Sequence, residues 1–415
     1  MTTRECIACR TVLPVICMVI LGVPALAQHQ PTYNSTWAQA PKIVTFDAPG
    51  AGTTPGSGLG TQAENIDAAG AITGLYADAN NVMHGFLRTR EGRLITFDVP
   101  GAGSVPGLSF KATPAGTYGG QGTYAMSINL EGAITGSYFD ENNVGHSFVR
   151  APYGTFTSFD DPAAGTSAYL GTFAWNINPA WVIAGNYWDS NSVRHGFVRT
   201  PDGEFTNFDP SGSVSTFVCL ASCLNQAGTV TGYFSDANGL AHGFVRDQDG
   251  AITEFDVPGA GTEGGQGTYP GSINTEGAVT GSYASGDNVT HGFVRAPDGS
   301  ITEFDVPGAG TNGSQAQGTY PEAINDAGVV TGQYIDSNDV QHGFVRAPDG
   351  RKLEAGADCK FRITTFDAPG AGSVAGSYEG TIPLAINAAG EITGAYFDNN
   401  YVLHAFLRPA GPPWF

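Results

Sequence analysis

The string His-x-Phe-(Leu/Val)-Arg occurs seven times, starting at His84, His146, His195, His242, His291, His342 and His404. Each copy follows an Asn or Asp by seventeen residues: Asp67, Asn129, Asn178, Asn225, Asn274, Asn325 and Asn387. Inside that interval a Gly recurs, followed two positions later by an aromatic residue: Tyr76, Tyr138, Tyr187, Phe234, Tyr283, Tyr334 and Tyr396. A Phe-Asp pair ends at Asp47, Asp98, Asp160, Asp209, Asp256, Asp305 and Asp367. The His-to-His intervals are 62, 49, 47, 49, 51 and 62 residues, near the kelch and WD-repeat lengths and beyond a leucine-rich or ankyrin unit.

One unit shows the local grammar. Tyr320 to Asn325 predicts a first strand, Val329 to Asp336 a second, Gln341 to Arg346 a third, and Ile301 to Asp305 shows the fourth. Each run is short, carries β-branched or aromatic residues, and is bounded by Gly, Pro, Asn or Asp. With 59 Gly, 25 Pro and 13% charged residues in 415, long helices are excluded and an all-β chain is expected.

The first three strands occur as seven complete sets. The first strand of the fourth type, Ile43 to Asp47, comes before any of them, and none follows Arg408. An open solenoid would need caps at both ends. A ring in which the N-terminal strand completes the last sheet needs none. The expected fold is therefore a seven-bladed β-propeller of four-stranded antiparallel blades closed by the N-terminal strand, with an open β-solenoid as the alternative.

These units resemble the HAF-type probable extracellular repeats of bacteria, named for a His-Ala-Phe string that this chain spells at His404-Ala405-Phe406; five other copies read His-Gly-Phe and His146 is followed by Ser-Phe. The resemblance covers most of the chain after residue 27. It implies export and a repeat architecture, and it carries no established activity. Departures are few: Ala180 stands at the turn where the other units have Gly, Leu224 replaces Ile, and Ser285 replaces Asp.

The N-terminus fits that reading. Arg4 and Arg10 precede an apolar run from Val12 to Val23, and Ala25-Leu26-Ala27 has the small residues of a signal-peptidase site, which predicts a signal peptide over 1–27. Residues 28–42 are then a linker, 43–408 the repeat domain and 409–415 a tail, and no later stretch is apolar enough to be a transmembrane segment. The chain is expected outside the cytoplasm: extracellular, periplasmic or on the cell surface. Its net charge of -20, with no Lys/Arg cluster to offset it, argues against nucleic acid or an anionic membrane as partner.

The turns fix a register. Ala296-Pro297-Asp298-Gly299 suits a type I turn with a Gly bulge, which places Arg295 opposite Ile301 and His291 opposite Asp305. Closing the preceding hairpin around Ser337 to Asp339 sets Tyr334 opposite His342. Each repeated His should thus lie between an aromatic residue and Asp47, Asp98, Asp160, Asp209, Asp256, Asp305 or Asp367, in a Tyr-His-Asp hydrogen-bond chain that holds the sheet together. Recurrence in every unit argues for architecture over catalysis, because catalytic machinery is asymmetric. The arginines that end each string, Arg88 to Arg408, are expected to pair with acidic neighbours, an anionic sugar or phosphate being the alternative.

Asp78, Asp140, Asp189, Asp236, Asp336 and Asp398 open short Asp-x-Asn loops. Asx turns account for that composition, and calcium is the alternative, since oxygen ligands on alternate loop residues suit a hard cation. No other cofactor is expected. Cys219 and Cys223 are candidates for a local disulfide in an oxidising compartment, leaving Cys359 as a spare thiol. Insertions over 99–128 and 347–366 are candidate binding elements. No nucleophile elbow, zincin, phosphate-loop or dinucleotide motif is present. The functional expectation is a secreted or surface binding module for an extracellular carbohydrate or protein. An extracellular polysaccharide-active hydrolase or lyase and a purely structural surface protein are the alternatives.

Overall fold

The computed structural model describes residues 42–106, 120–219, 222–348 and 361–411. The predicted signal peptide, Cys359 and the centres of both insertions lie outside the described residues. Among the described residues there is no α-helix, and the chain is all-β.

After β1 (Val44–Phe46) come seven antiparallel sheets in chain order. The first is β2 (Thr61–Ile66), β3 (Ile72–Ala77), β4 (Met83–Arg88) and β5 (Leu94–Phe97). The second is β6 (Gly122–Ile128), β7 (Ile134–Phe139), β8 (Gly145–Arg150) and β9 (Phe156–Phe159). The third is β10 (Gly171–Ile177), β11 (Ile183–Trp188), β12 (Arg194–Arg199) and β13 (Phe205–Phe208), and the fourth β14 (Ser215–Val218), β15 (Val230–Ser235), β16 (Ala241–Arg246) and β17 (Ile252–Phe255). The fifth is β18 (Gly267–Ile273), β19 (Val279–Ala284), β20 (Thr290–Arg295) and β21 (Ile301–Phe304), and the sixth β22 (Gly318–Ile324), β23 (Val330–Ile335), β24 (Gln341–Pro348) and β25 (Phe361–Phe366). The seventh has β26 (Gly380–Ile386), β27 (Ile392–Phe397) and β28 (Leu403–Arg408), and β1 pairs antiparallel with β28 through Thr45 and Phe406.

The hairpins have the register their turns require. Arg295 faces Ile301 and Phe293 faces Glu303, while Tyr334 faces His342. The Phe two places after each His points into its sheet's core and is fully buried in all seven copies: Phe86, Phe148, Phe197, Phe244, Phe293, Phe344 and Phe406.

Neighbouring sheets meet through a small set of repeated contacts. A Gly opening the first strand bridges to the third strand of the preceding sheet, as Gly122 does with Met83 and Gly318 with Thr290. These glycines have φ between +114° and +141°, and a Cβ on Gly318 would stand 2.0 Å from the Thr290 carbonyl oxygen. Only a residue without a side chain permits that approach. The next residue, a buried Thr, accepts a backbone N–H from the loop leaving the preceding sheet, as from Ala48 to Thr61 at 3.0 Å and from Val306 to Thr319 at 3.0 Å.

The third contact corrects the arginine expectation. Arg88, Arg150, Arg199, Arg246, Arg295, Arg346 and Arg408 each stand over the Phe of the preceding sheet's fourth strand, at 4.4 to 5.1 Å from the ring centroid. Their partners are aromatic faces. Burial holds these guanidinium groups below their usual range, and Arg346 is pushed down to about 10. Sequence alone places Arg and Phe on different sheets and gives no sign of their meeting.

The same contacts join the seventh sheet to the first: Gly60 bridges to Leu403, Ala48 donates to Thr61, and Arg88 lies over Phe46 of β1. Between the third and fourth sheets the Gly position holds Ser215, and no bridge joins β12 to β14. Arg194 fills that seam, 4.4 Å from the Phe217 ring and 5.3 Å from Trp188.

Two glycines separate steric from conformational effects. Gly328 has φ +71°, and a Cβ added there would have nothing within 4 Å. Gly328→Ala should cost about 1 kcal/mol, whereas Gly318→Ala should cost about 3 kcal/mol or more because a backbone oxygen must move as well. Urea unfolding of the two variants would check the difference.

Candidate functional site

The seven first strands gather around one axis, and the structure gives that axis two kinds of polar chemistry. At one end the Ile-(Asn/Asp) pairs that close these strands line a cavity of about 230 Å³, together with Leu130, Pro179, Ser222 and Asp326. Each Asn there spends its side chain on structure. The Oδ1 of Asn129 accepts from the backbone N–H groups of Glu131 and Ala133, and its Nδ2 donates to the Asn178 carbonyl of the next sheet. Asn178, Asn225, Asn274 and Asn325 repeat the link at 3.1 to 3.2 Å, and Asn387 donates to Asp67 O at 3.1 Å. These Asn side chains stitch sheet to sheet.

Further along the axis the repeat breaks down. Tyr124, Met126, Phe173, Trp175 and Cys219 of the second, third and fourth sheets are buried in one apolar cluster. At the same registers Gln62, Tyr269, Tyr320, Glu322, Ile382 and Leu384 keep partial solvent contact, while Glu64 is 3% exposed. Large side chains fill one side of the axis and leave the other open. Cys219 and Cys223 form a disulfide with a Cα separation of 5.7 Å. Ser222 beside it reaches Asn65 of the first sheet, Nδ2 to Oγ 3.5 Å, and its carbonyl accepts from Ile273 of the fifth at 3.0 Å. The disulfide and Ser222 thus lie beside the first strands, with Ser222 bonded to the first and fifth sheets.

Glu64 and Glu322 stand at matching registers on the first strands of the first and sixth sheets. Gln62 Nε2 donates to Glu64 Oε1 at 2.7 Å. Burial is the first cause that pushes both carboxyls up to about 8, and the charge of Glu322 adds to the effect on Glu64. The Tyr269 hydroxyl donates to the Gly265 carbonyl and the Tyr320 hydroxyl to the Ala316 carbonyl, so both rings are held in place. None of these residues belongs to the repeat signature. The signal that would find them is departure from the repeat at registers pointing to the axis, where Glu64 and Glu322 occupy the position that Met126 and Leu384 hold in their own units.

The repeated histidines lie away from the axis. The Nδ1 of His84, His146, His195, His242, His291, His342 and His404 is 2.7 to 3.1 Å from the carboxylate of Asp98, Asp160, Asp209, Asp256, Asp305, Asp367 and Asp47 respectively. The expected tyrosine hydrogen bond is replaced by ring stacking. Tyr76, Tyr138, Tyr187, Phe234, Tyr283, Tyr334 and Tyr396 lie on the imidazoles with centroids 4.9 to 5.1 Å apart. Their hydroxyls point past the ring; that of Tyr283 donates to Glu303 Oε2 at 2.8 Å. Directly opposed strand positions bring the rings face to face, which leaves no line from hydroxyl to imidazole nitrogen.

Five loop aspartates, Asp78, Asp140, Asp189, Asp336 and Asp398, stand 3.7 to 3.9 Å from the His Nε2. In all six loops, Asp236 included, the Asp Oδ1 accepts two backbone N–H groups and Oδ2 takes the Asn amide, as in Asp78 with Asn80 and Val82. That is the Asx turn. Among the described residues no three His, Cys, Asp or Glu side chains group where a metal would sit.

The turn departure falls one residue later than the sequence suggested. Trp181, with φ 61°, stands where other units have Gly132 or Gly277; Ala180 corresponds to Glu131 and Glu276. The Asn spacing, counted from Asn178, gives this alignment directly. Trp181 Nε1 donates to Glu131 Oε2 at 2.8 Å, a bond between sheets that holds the strained residue.

No protein-family model and no curated protein matches the chain. Solved structures do. A streptogramin B lyase is 14% identical with a TM-score of 0.49, over 88% of this chain and 98% of that one. The β-propeller domain of the Trilobed protease from Pyrococcus furiosus, described as having an open velcro topology, is 9% identical with a TM-score of 0.47, over 84% and 95%. A puromycin hydrolase is 11% identical with a TM-score of 0.35, over 84% and 58%.

Stacking makes the histidines equivalent. His291→Ala and His242→Ala should each cost about 1 kcal/mol, with no advantage for the site that has Phe234 in place of Tyr. Equilibrium unfolding of the pair measures this.

Six raised groups act in the same direction. His84, His146, His342 and His404 are raised first by the hydrogen bond to Asp, and Glu64 and Glu322 by burial. A group whose folded pKa is raised contributes stability fully present below its unfolded value and lost as pH rises through the folded one. Melting temperature should therefore fall from pH 6 to pH 9. The double variant Glu64→Gln, Glu322→Gln should flatten that fall, as a thermal series across this range would show.

Proposed function

We propose that the seven sheets are the blades of a closed propeller sealed by β1, that the protein is exported, and that it acts as a binding or interaction module for an extracellular carbohydrate or protein. The closing contacts support the ring: β1 pairs with β28, and Gly60, Asn387 and Arg88 make between last and first blades the links made elsewhere. Deleting Ile43 to Asp47 should lower the melting temperature of the whole domain in one transition, because it removes an edge strand and a ring from beneath Arg88 at once.

One observation carries the binding reading. The repeated His, Asp, Arg and Asn side chains make the same structural contacts in blade after blade, His with Asp, Arg over Phe and Asn to the next carbonyl, so the candidates for a ligand are residues at which one unit differs from another. Gln62, Tyr269, Tyr320, Glu322 and Ile382 are such residues, half-buried on the first strands of the first, fifth, sixth and seventh blades. Concave, largely apolar surface with a few converging polar groups is what a ligand site requires. A glycan array and a cell-wall pull-down with residues 28–415 test it. Retention by the native chain and loss in Tyr269→Ala, Tyr320→Ala, with melting preserved, is the expected result; no retention in either assay would leave the structural reading.

A second reading rests on the carboxyl pair. Two acids raised to about 8 inside one lumen are what proton transfer near neutrality uses. Release of reducing ends from polysaccharide by the native chain, abolished in Glu322→Gln, would establish a hydrolase; binding without release would leave the module.

A further inference from the structure

Around the axis, six of seven blade-to-blade links run from an Asn amide to a backbone carbonyl. The seventh position holds Asp67. Its Oδ1 accepts from Ala69 and Ala71 at 2.9 and 2.8 Å, the donors at two and four residues on that an Asn Oδ1 takes in other blades. Oδ2 is thereby left in the place of Nδ2, and the group met by that place in other blades is the next Asn carbonyl, here that of Asn129. An ionised carboxylate has no proton to give it. We propose that Asp67 supplies this link as the neutral acid, its proton bonding to the Asn129 carbonyl, so that the seam between the first and second blades is a proton-dependent latch.

The surroundings agree with the geometry. Asp67 is 6% exposed. Its carboxyl is held above the ordinary aspartate range, first by burial and then by the nearby charge of Glu391, against the pull of the Ala71, Ala69 and Gly70 N–H groups. Glu391 comes from the seventh blade, where its Oε2 accepts from Asn387 Nδ2 at 2.8 Å. From the first blade's own third-to-fourth turn, the Arg90 stem packs near Gly70. On the second blade Glu131 is the charged neighbour, and its carboxylate is turned toward Trp181. The half-buried carboxylate of Glu391 thus stands near the buried Asp67, which favours a proton on Asp67.

The donor exists while Asp67 is protonated, so the latch is engaged in acid. Its stabilisation is complete below the unfolded aspartate value of about 3.8 and disappears as pH rises through the raised folded value. Asp67→Asn carries a donor at every pH, and Asp67→Ala carries none.

Melting curves of residues 28–415 from pH 4 to pH 8 test the latch. Asp67→Asn should melt above the native chain at pH 8, with the gap closing toward pH 4, and Asp67→Ala should melt below Asp67→Asn throughout. A gap equal at both ends of the range, or absent at both, would overturn the proposal. So would failure of Asp67→Asn to fold, since six blades carry an amide at this position.

Discussion

At six of the seven seams a sheet meets its neighbour at a residue with no side chain. The glycines that open the first strands lie against a backbone carbonyl of the preceding sheet, so close that a methyl group would overlap it. The other repeated contacts accompany that approach. It brings the Thr hydroxyl under the incoming loop, slides each Arg over the neighbouring Phe, and draws the Asn amides within reach of the next carbonyl. Where Ser215 replaces Gly the bridge is lost, and a buried Arg194 between aromatic rings substitutes for it. The consequence is a seam built from side-chain packing where the others have main-chain contact.

The division between legible and illegible follows the range of the interaction. Strand type, hairpin register and the pairing of His291 with Asp305 come from turn lengths of a few residues, so they can be read along the chain. Whether facing Tyr and His rings would bond or stack depends on the angle between opposed side chains, which spacing does not encode. The Arg-Phe contacts lie a blade apart, and charge alone suggested a carboxylate partner. Glu64 and Glu322 are further out of reach: only the curvature of the whole array brings blades one and six across a common axis. The disulfide pair was legible because its members are four residues apart. The contacts of Ser222 with the first and fifth sheets were not.

Symmetry and its violations have opposite meanings here. Groups that recur make the same contact in sheet after sheet, His with Asp, Arg over Phe and Asn to the next carbonyl, which makes them scaffold. Groups that depart from the pattern stand where scaffold needs are weakest, along the axis and at the turn of Trp181, a strained backbone position held by a single bond to the second blade.

Identical interfaces also bear on how such a chain changes over generations. Because most units present the same Gly, Thr, Asn and Arg to one neighbour and accept the same contacts from the other, in-frame duplication or loss of such a unit creates a junction with the same chemistry. His-Gly-Phe-Val-Arg-Ala-Pro-Asp-Gly is spelled identically from His291 and from His342, as copying followed by little divergence would leave it. The interior residues of the axis have no such template. Gene conversion between units would homogenise the scaffold while erasing any axial residue it overwrote, such as Glu64, Trp175 or Glu322.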